Sequence, residues 1–80
     1  MFVALEDGSY LVDARLDVDD LAELLDTTFS EEEWDTVGGL VLGLAGRVPQ
    51  EGEQFEYDDL LLQVDKIEGR RVARVRVSRP

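Results

Sequence analysis

The sequence predicts an α+β domain: an antiparallel β-sheet with two to three short helices packed on one face, in the order β-β-α-α-β-β-β. Three observations point to it. Both ends of the chain alternate apolar and polar residues at the period of a strand, and the middle repeats at the period of a helix. Turn signals separate the pieces. That middle, Asp35 to Gly46, carries no charge from Thr36 onward, although 34% of the chain is charged. Eighty residues make a single domain over 1–80, near the lower limit for a self-sufficient core.

Phe2-Val3-Ala4-Leu5 is an apolar run ended by Glu6-Asp7-Gly8-Ser9. Asp-Gly is a strong hairpin signal, and a two-residue turn there sets Leu5 opposite Tyr10 and Val3 opposite Val12. Tyr10, Val12, Ala14 and Leu16 then alternate with Leu11, Asp13 and Arg15, as a half-buried strand does. Asp17 is expected to cap a helix, with Asp20 in an imperfect capping box and Leu16 stapled against Leu21. Val18, Leu21, Leu24 and Leu25 form its apolar stripe.

Thr27-Thr28-Phe29 breaks that pattern, and Ser30 with Glu33 matches the capping box of one short helical turn. Trp34 follows, the only tryptophan. It is expected to pack over the central helix, with stacking on a ligand ring as the alternative. Asp35 or Thr36 caps that helix, and Gly46-Arg47-Val48-Pro49 ends it, because proline cannot continue the ladder. On a helical wheel Val37, Leu40, Val41 and Leu44 share one face. Gly39, Gly43 and Gly46 share the opposite face beside Leu42. The helix is too short for a bilayer, which needs about 20 apolar residues. Gly39 and Gly43 make a small-xxx-small pair that lets another backbone approach. Either an element of the same domain fills that groove, or a second subunit or neighbouring domain does.

The remainder predicts three antiparallel strands. A two-residue turn at Asp58-Asp59 pairs Phe55 with Leu62. A turn at Glu68-Gly69 pairs Val64 with Ala73, Leu62 with Val75 and Leu60 with Val77. One face is then apolar throughout, and the other carries Arg74, Arg76, Gln63, Asp65 and Glu56.

Composition narrows the chemistry. The chain has no cysteine and no histidine, which removes disulfides, thiolate nucleophiles, the usual base near neutral pH and the commonest metal ligand. No phosphate-binding loop motif is present, and no Ca²⁺ loop motif. Asp17, Asp19 and Asp20 suit a helix start, where the macrodipole favours acids; a cation site is the alternative. Nothing in the sequence looks like an enzyme. The net charge of −11 repels nucleic acid and anionic lipid. Its distribution is uneven: residues 1–65 balance at −16 and residues 66–80 at +5. Either the basic strand is drawn to the chain's own acidic surface, or it is a docking strip for an acidic partner.

A family resemblance adds context. The run from Asp7 to Leu21, DGSYLVDARLDVDDL, resembles the opening of the CorC/HlyC transporter-associated domain. The resemblance continues through Glu33-Trp34-Asp35-Thr36-Val37-Gly38-Gly39-Leu40-Val41-Leu42, Gly46-Arg47-Val48-Pro49 and Gly52-Glu53, and ends on Gly69 to Val77. Ala14 and Asp58-Asp59 stand where glycine is common in the family, and neither is expected to touch the central helix. The resemblance implies a C-terminal piece of a longer bacterial protein, after a pair of CBS domains and often a membrane region. It implies a fold similar to an FAD-binding subdomain of certain oxidases, and a role in modulating Mg/Co-type ion transport on the cytoplasmic side of the membrane. The expected partners are the CBS domains and membrane region of the same protein, with a homodimer as a further option, and neither nucleic acid nor direct membrane insertion. No cofactor is expected; an adenine nucleotide or FAD near Trp34 is the alternative, and a divalent-cation sensor another. The candidate partner or ligand surface comprises Trp34, Gly39, Gly43, Gly46, Arg74 and Arg76.

Overall fold

Five strands and two helices follow one another as β1 (Phe2–Ala4), β2 (Tyr10–Asp13), α1 (Val18–Leu24), α2 (Val37–Ala45), β3 (Gln54–Tyr57), β4 (Leu60–Glu68) and β5 (Arg71–Ser78). The computed structural model describes residues 2–27 and 34–79; the short turn expected at Ser30 to Glu33 lies outside them. All strand pairs are antiparallel, in the order β1-β2-β5-β4-β3. The sheet gives Val12, Leu62, Val64, Val75 and Val77 to the core, and the helices give Leu21, Leu25, Val37, Leu40 and Val41. Each such side chain contributes roughly 1.5–3 kcal/mol by leaving water.

Two registers differ from expectation. The first hairpin closes with a three-residue loop, Glu6-Asp7-Gly8. Gly8 N–H donates to Leu5 O at 3.1 Å and Leu5 N–H to Ser9 O at 2.8 Å. Gly8 takes φ +88°, the left-handed step that follows a type I turn in such loops. Phe2 therefore pairs with Val12, and Ala4 rather than Leu5 with Tyr10. That one-residue slip turns β1 over.

In the last hairpin the turn is Gly69-Arg70, with Glu68 opposite Arg71 and Gly69 at φ +63°. Positive φ at the first central position is where a two-residue hairpin turn wants glycine. Leu62 consequently pairs with Val77 and Val64 with Val75, a shift of two residues that keeps the faces. The ladder is irregular between Val64 and Ile67, so Val72, not Ala73, is the buried residue next to Val75. The Asp58-Asp59 hairpin has the expected register, Phe55 opposite Leu62.

The two helices start back to back. Thr36 is the N-cap of α2, its Oγ1 accepting from Gly39 N–H at 3.1 Å. Val37 N–H donates to Leu16 O at 2.9 Å and Gly38 N–H to Ala14 O at 2.8 Å. Leu40 N–H donates to Thr36 O. A helix leaves its first N–H groups without intrahelical partners; here those of Val37, Gly38 and Gly39 have acceptors from the chain itself, and Leu40 N–H makes the first i→i−4 bond of the helix. Ala14 thus does meet the central helix: a Cβ at Gly38 would stand 3.0 Å from Ala14 Cβ. Asp17 sits at the N-cap of α1, but its side chain makes no cap hydrogen bond. Asp35 O accepts from Val18 N–H at 2.9 Å instead, because the Asp17–Thr36 bridge brings that carbonyl to the helix start.

Candidate docking site

The six residues singled out in the sequence are dispersed over the domain and not gathered into one site. Trp34 lies against α2, where a Cβ on Gly43 would overlap its indole nitrogen. Its ring also meets Tyr57 edge-on, centroids 5.6 Å apart at 87°. The half-buried indole therefore packs on two parts of its own chain. Gly43 is covered by Trp34, so the small-xxx-small pair is split: an element of the same domain takes Gly43, while Gly39 opens elsewhere. Gly46 is the left-handed C-cap of α2, at φ +69°, its N–H donating to Leu42 O.

Arg74 and Arg76 are held by the chain's own acids. Arg74 Nε donates to Asp65 at 2.5 Å. Arg76 pairs with Asp7 and donates from Nε to Ser9 Oγ at 3.2 Å. Ser9 is buried, and its hydroxyl donates in turn to Asp7 Oδ1 at 2.5 Å. The Ser9 hydroxyl and N–H, followed by the Arg76 charge, lower the Asp7 carboxyl to about 2. A second staple closes the other end of the helix layer. Arg47 grips Glu53 through both nitrogens, at 2.9 and 2.5 Å. That pairing, with the Gln50 N–H, lowers Glu53 to about 2. Arg79 donates to Leu25 O at the end of α1.

Among the open grooves of the described residues, one of about 400 Å³ lies between the start of α2 and the tip of the β4–β5 hairpin. Gly38, Gly39, Ala14 and Ala73 floor it, and Leu42 forms one wall. Arg15 and Asp13, paired at 3.3 Å, stand at one end. Glu68 and Arg71 stand at the hairpin tip. Residues with so little side chain leave a shallow backbone-lined trough, suited to an extended segment or a single inserted side chain. No three-acid or larger cluster able to hold a metal occurs among the described residues, and none of their helices is long and apolar enough to cross a membrane.

Of these groove residues only Gly39 stands out in the sequence as a surface candidate. Arg70 and Arg71 do not stand out in the sequence beside Arg74 and Arg76. The usable signal was Gly69: a glycine at the first central position of a two-residue turn puts Arg70 at the exposed tip and Arg71 at the strand start.

The family model for the transporter associated domain CorC_HlyC matches residues 3–80. The chain is similar to the magnesium and cobalt efflux protein CorC of Escherichia coli (strain K12), 35% identical over 79 residues, covering 99% of this chain and 27% of that protein. It is also similar to hemolysin C of Brachyspira hyodysenteriae, 37% identical over 76 residues, covering 92% of this chain and 28% of that protein. Among solved structures it resembles the transporter associated domain of a Xylella fastidiosa Temecula1 hemolysin in complex with Mg++ and Mn++. That likeness has a TM-score of 0.88 at 29% identity, over 99% of this chain and 96% of that one. The corresponding domain from Nitrosomonas europaea gives a TM-score of 0.89 at 28% identity, over 100% and 96%. The chain spans about a quarter of the length of the two curated relatives.

Proposed function

The chain belongs to the transporter associated domain family of CorC- and hemolysin-like proteins, and from that premise we propose that it is a non-catalytic interaction module that regulates ion transport. The observation that supports this most is one of proportion: the match takes in 99% of this chain and 27% of the efflux relative. Such a module works on what it is joined to. Its partners in this reading are CBS domains and a membrane region of the same full-length protein, with the module on the cytoplasmic side. The internal pairing of Arg74, Arg76 and Arg47 is consistent with it, since those cations are held by the chain's own acids. The test is deletion of this domain from the full-length protein, followed by Mg²⁺ and Co²⁺ efflux and assembly state. The expected result is altered efflux or assembly with the pore retained; both unchanged would sink the proposal.

A second reading, divalent-cation binding, draws on the Mg++ and Mn++ complex of the Xylella fastidiosa relative. Asp17, Asp19 and Asp20 do not come together as a metal-holding cluster, so this reading rests on the relative alone. Melting curves in MgCl₂ against NaCl of equal ionic strength decide it, and identical shifts reject it. A nucleotide or flavin has less support, because the Trp34 ring already packs on Gly43 and Tyr57 and the α2 amides are bonded within the chain.

A further inference from the structure

We propose that the β4–β5 hairpin tip, with the groove beside it, is the docking surface of this module, and that its occupant is an acidic protein segment carrying an apolar side chain. This rests on the interaction-module reading above and gives it a location and a partner chemistry.

The basic end of the chain is sorted by the fold into engaged and unengaged cations. Arg74, Arg76 and Arg79 are bonded to Asp65, Asp7 and Leu25 O, and Lys66 lies 3.9 Å from Glu68. Arg70 and Arg71 have no ion pair among the described residues, and both are exposed. They are adjacent, one in the turn and one at the start of β5, so their charges add at one spot.

The neighbourhood reinforces them. Around the tip lie the cations Arg15, Lys66, Arg70, Arg71 and Arg74. Against them stand the acids Asp13, Glu51, Asp65 and Glu68, with Glu51 accepting from Ile67 N–H at 2.9 Å. Five against four leaves this end at +1, and with the whole chain at −11 the remainder carries −12. A molecule so polarised is least repulsive to an acidic segment at this end, where the unpaired Arg70 and Arg71 stand, and that asymmetry steers approach.

The groove decides between a protein segment and an anionic lipid surface. It is concave, with Leu42 as an apolar wall over a glycine and alanine floor. A side chain can enter it, whereas a bilayer surface cannot, and the −12 elsewhere opposes a broad anionic face. Leucine beside glutamates satisfies both halves of the site.

The experiment titrates the chain into a fluorescein-labelled glutamate-rich peptide with one central leucine and reads anisotropy, with a glutamine-for-glutamate peptide as control. The chain is a fair object for this, because solved chains of the same extent take this fold by themselves. The acidic peptide is expected to bind, more weakly as NaCl rises, and the glutamine peptide not to. The exposed double reversal R70E/R71E should weaken binding by at least about tenfold, two surface attractions becoming repulsions, with its melting temperature close to that of the parent chain. Leu42→Gln should lose several-fold. Equal binding of both peptides, no effect of R70E/R71E, or no binding at millimolar chain would overturn the proposal. In the full-length protein, efflux changed by domain deletion but untouched by R70E/R71E would remove this surface while leaving the module reading in place.

Discussion

At the scale of the residue, Gly43 shows how a small side chain can be specified by a neighbour rather than by backbone geometry. Its place in a helix asks for alanine, which would be about 1 kcal/mol better by propensity. The indole of Trp34 occupies the space that a Cβ would need, and overpacking costs about 1–3 kcal/mol. Gly43→Ala is therefore expected to lower stability and shift Trp34 emission to the red as the ring moves into water. Emission unchanged from the parent chain would show that the indole does not rest there. The spacing of Gly39 and Gly43 was legible in the sequence as a pair of close-approach sites. Which group approached was not, because a tryptophan in an irregular segment carries no periodicity to aim it.

At the scale of the element, α1 ends in a way the sequence hides. Thr27 N–H donates to Ala22 O at 2.9 Å and Asp26 N–H to Glu23 O at 3.1 Å, the two bonds of a Schellman motif. The left-handed residue between them is Asp26, at φ 53°, where glycine is the usual choice. Asp26→Gly is expected to stabilise the chain by up to about 1 kcal/mol by removing the Cβ clash. That corresponds to a rise in melting temperature of about 4–8 °C per kcal/mol for a domain this size. A fall would mean that the Asp26 side chain contributes more than its strain.

The strands teach a related lesson about legibility. Faces were readable wherever apolar residues alternate, and the β4–β5 slip of two residues left them intact. The β1–β2 slip of one did not, because Glu6-Asp7-Gly8 supports a three-residue loop as readily as Asp7-Gly8 supports a two-residue turn. Loop length is set by the φ of one glycine, and composition does not report it. The same ambiguity hid the docking candidates: with the turn placed at Glu68-Gly69, Arg70 becomes a strand residue like any other.

At the scale of the whole molecule, charge is the dominant unbalanced quantity. The five side-chain ion pairs found among the described residues are all at least partly exposed, and such pairs contribute about 0–1 kcal/mol each. A net −11 acts on every acid at once. Raising NaCl to ~0.5 M, where the screening length falls to a few ångströms, is therefore expected to raise the melting temperature at pH 7. A fall would place the ion pairs ahead of the self-repulsion. The α+β class was legible because it depends only on patterning, whereas the polarity of the molecule depends on which acids each arginine reaches after folding. One further consequence lies in the amides at the start of α2. Helices on a sheet are usually held by side chains, which slide and let one layer shear over the other. Here Gly38 is hydrogen-bonded to Ala14, and Ala14 to Ala73 on β5, a continuous peptide tether from the hairpin to the helix. A load applied at Arg70 and Arg71 has a peptide route from β5 to α2, besides the packing of side chains.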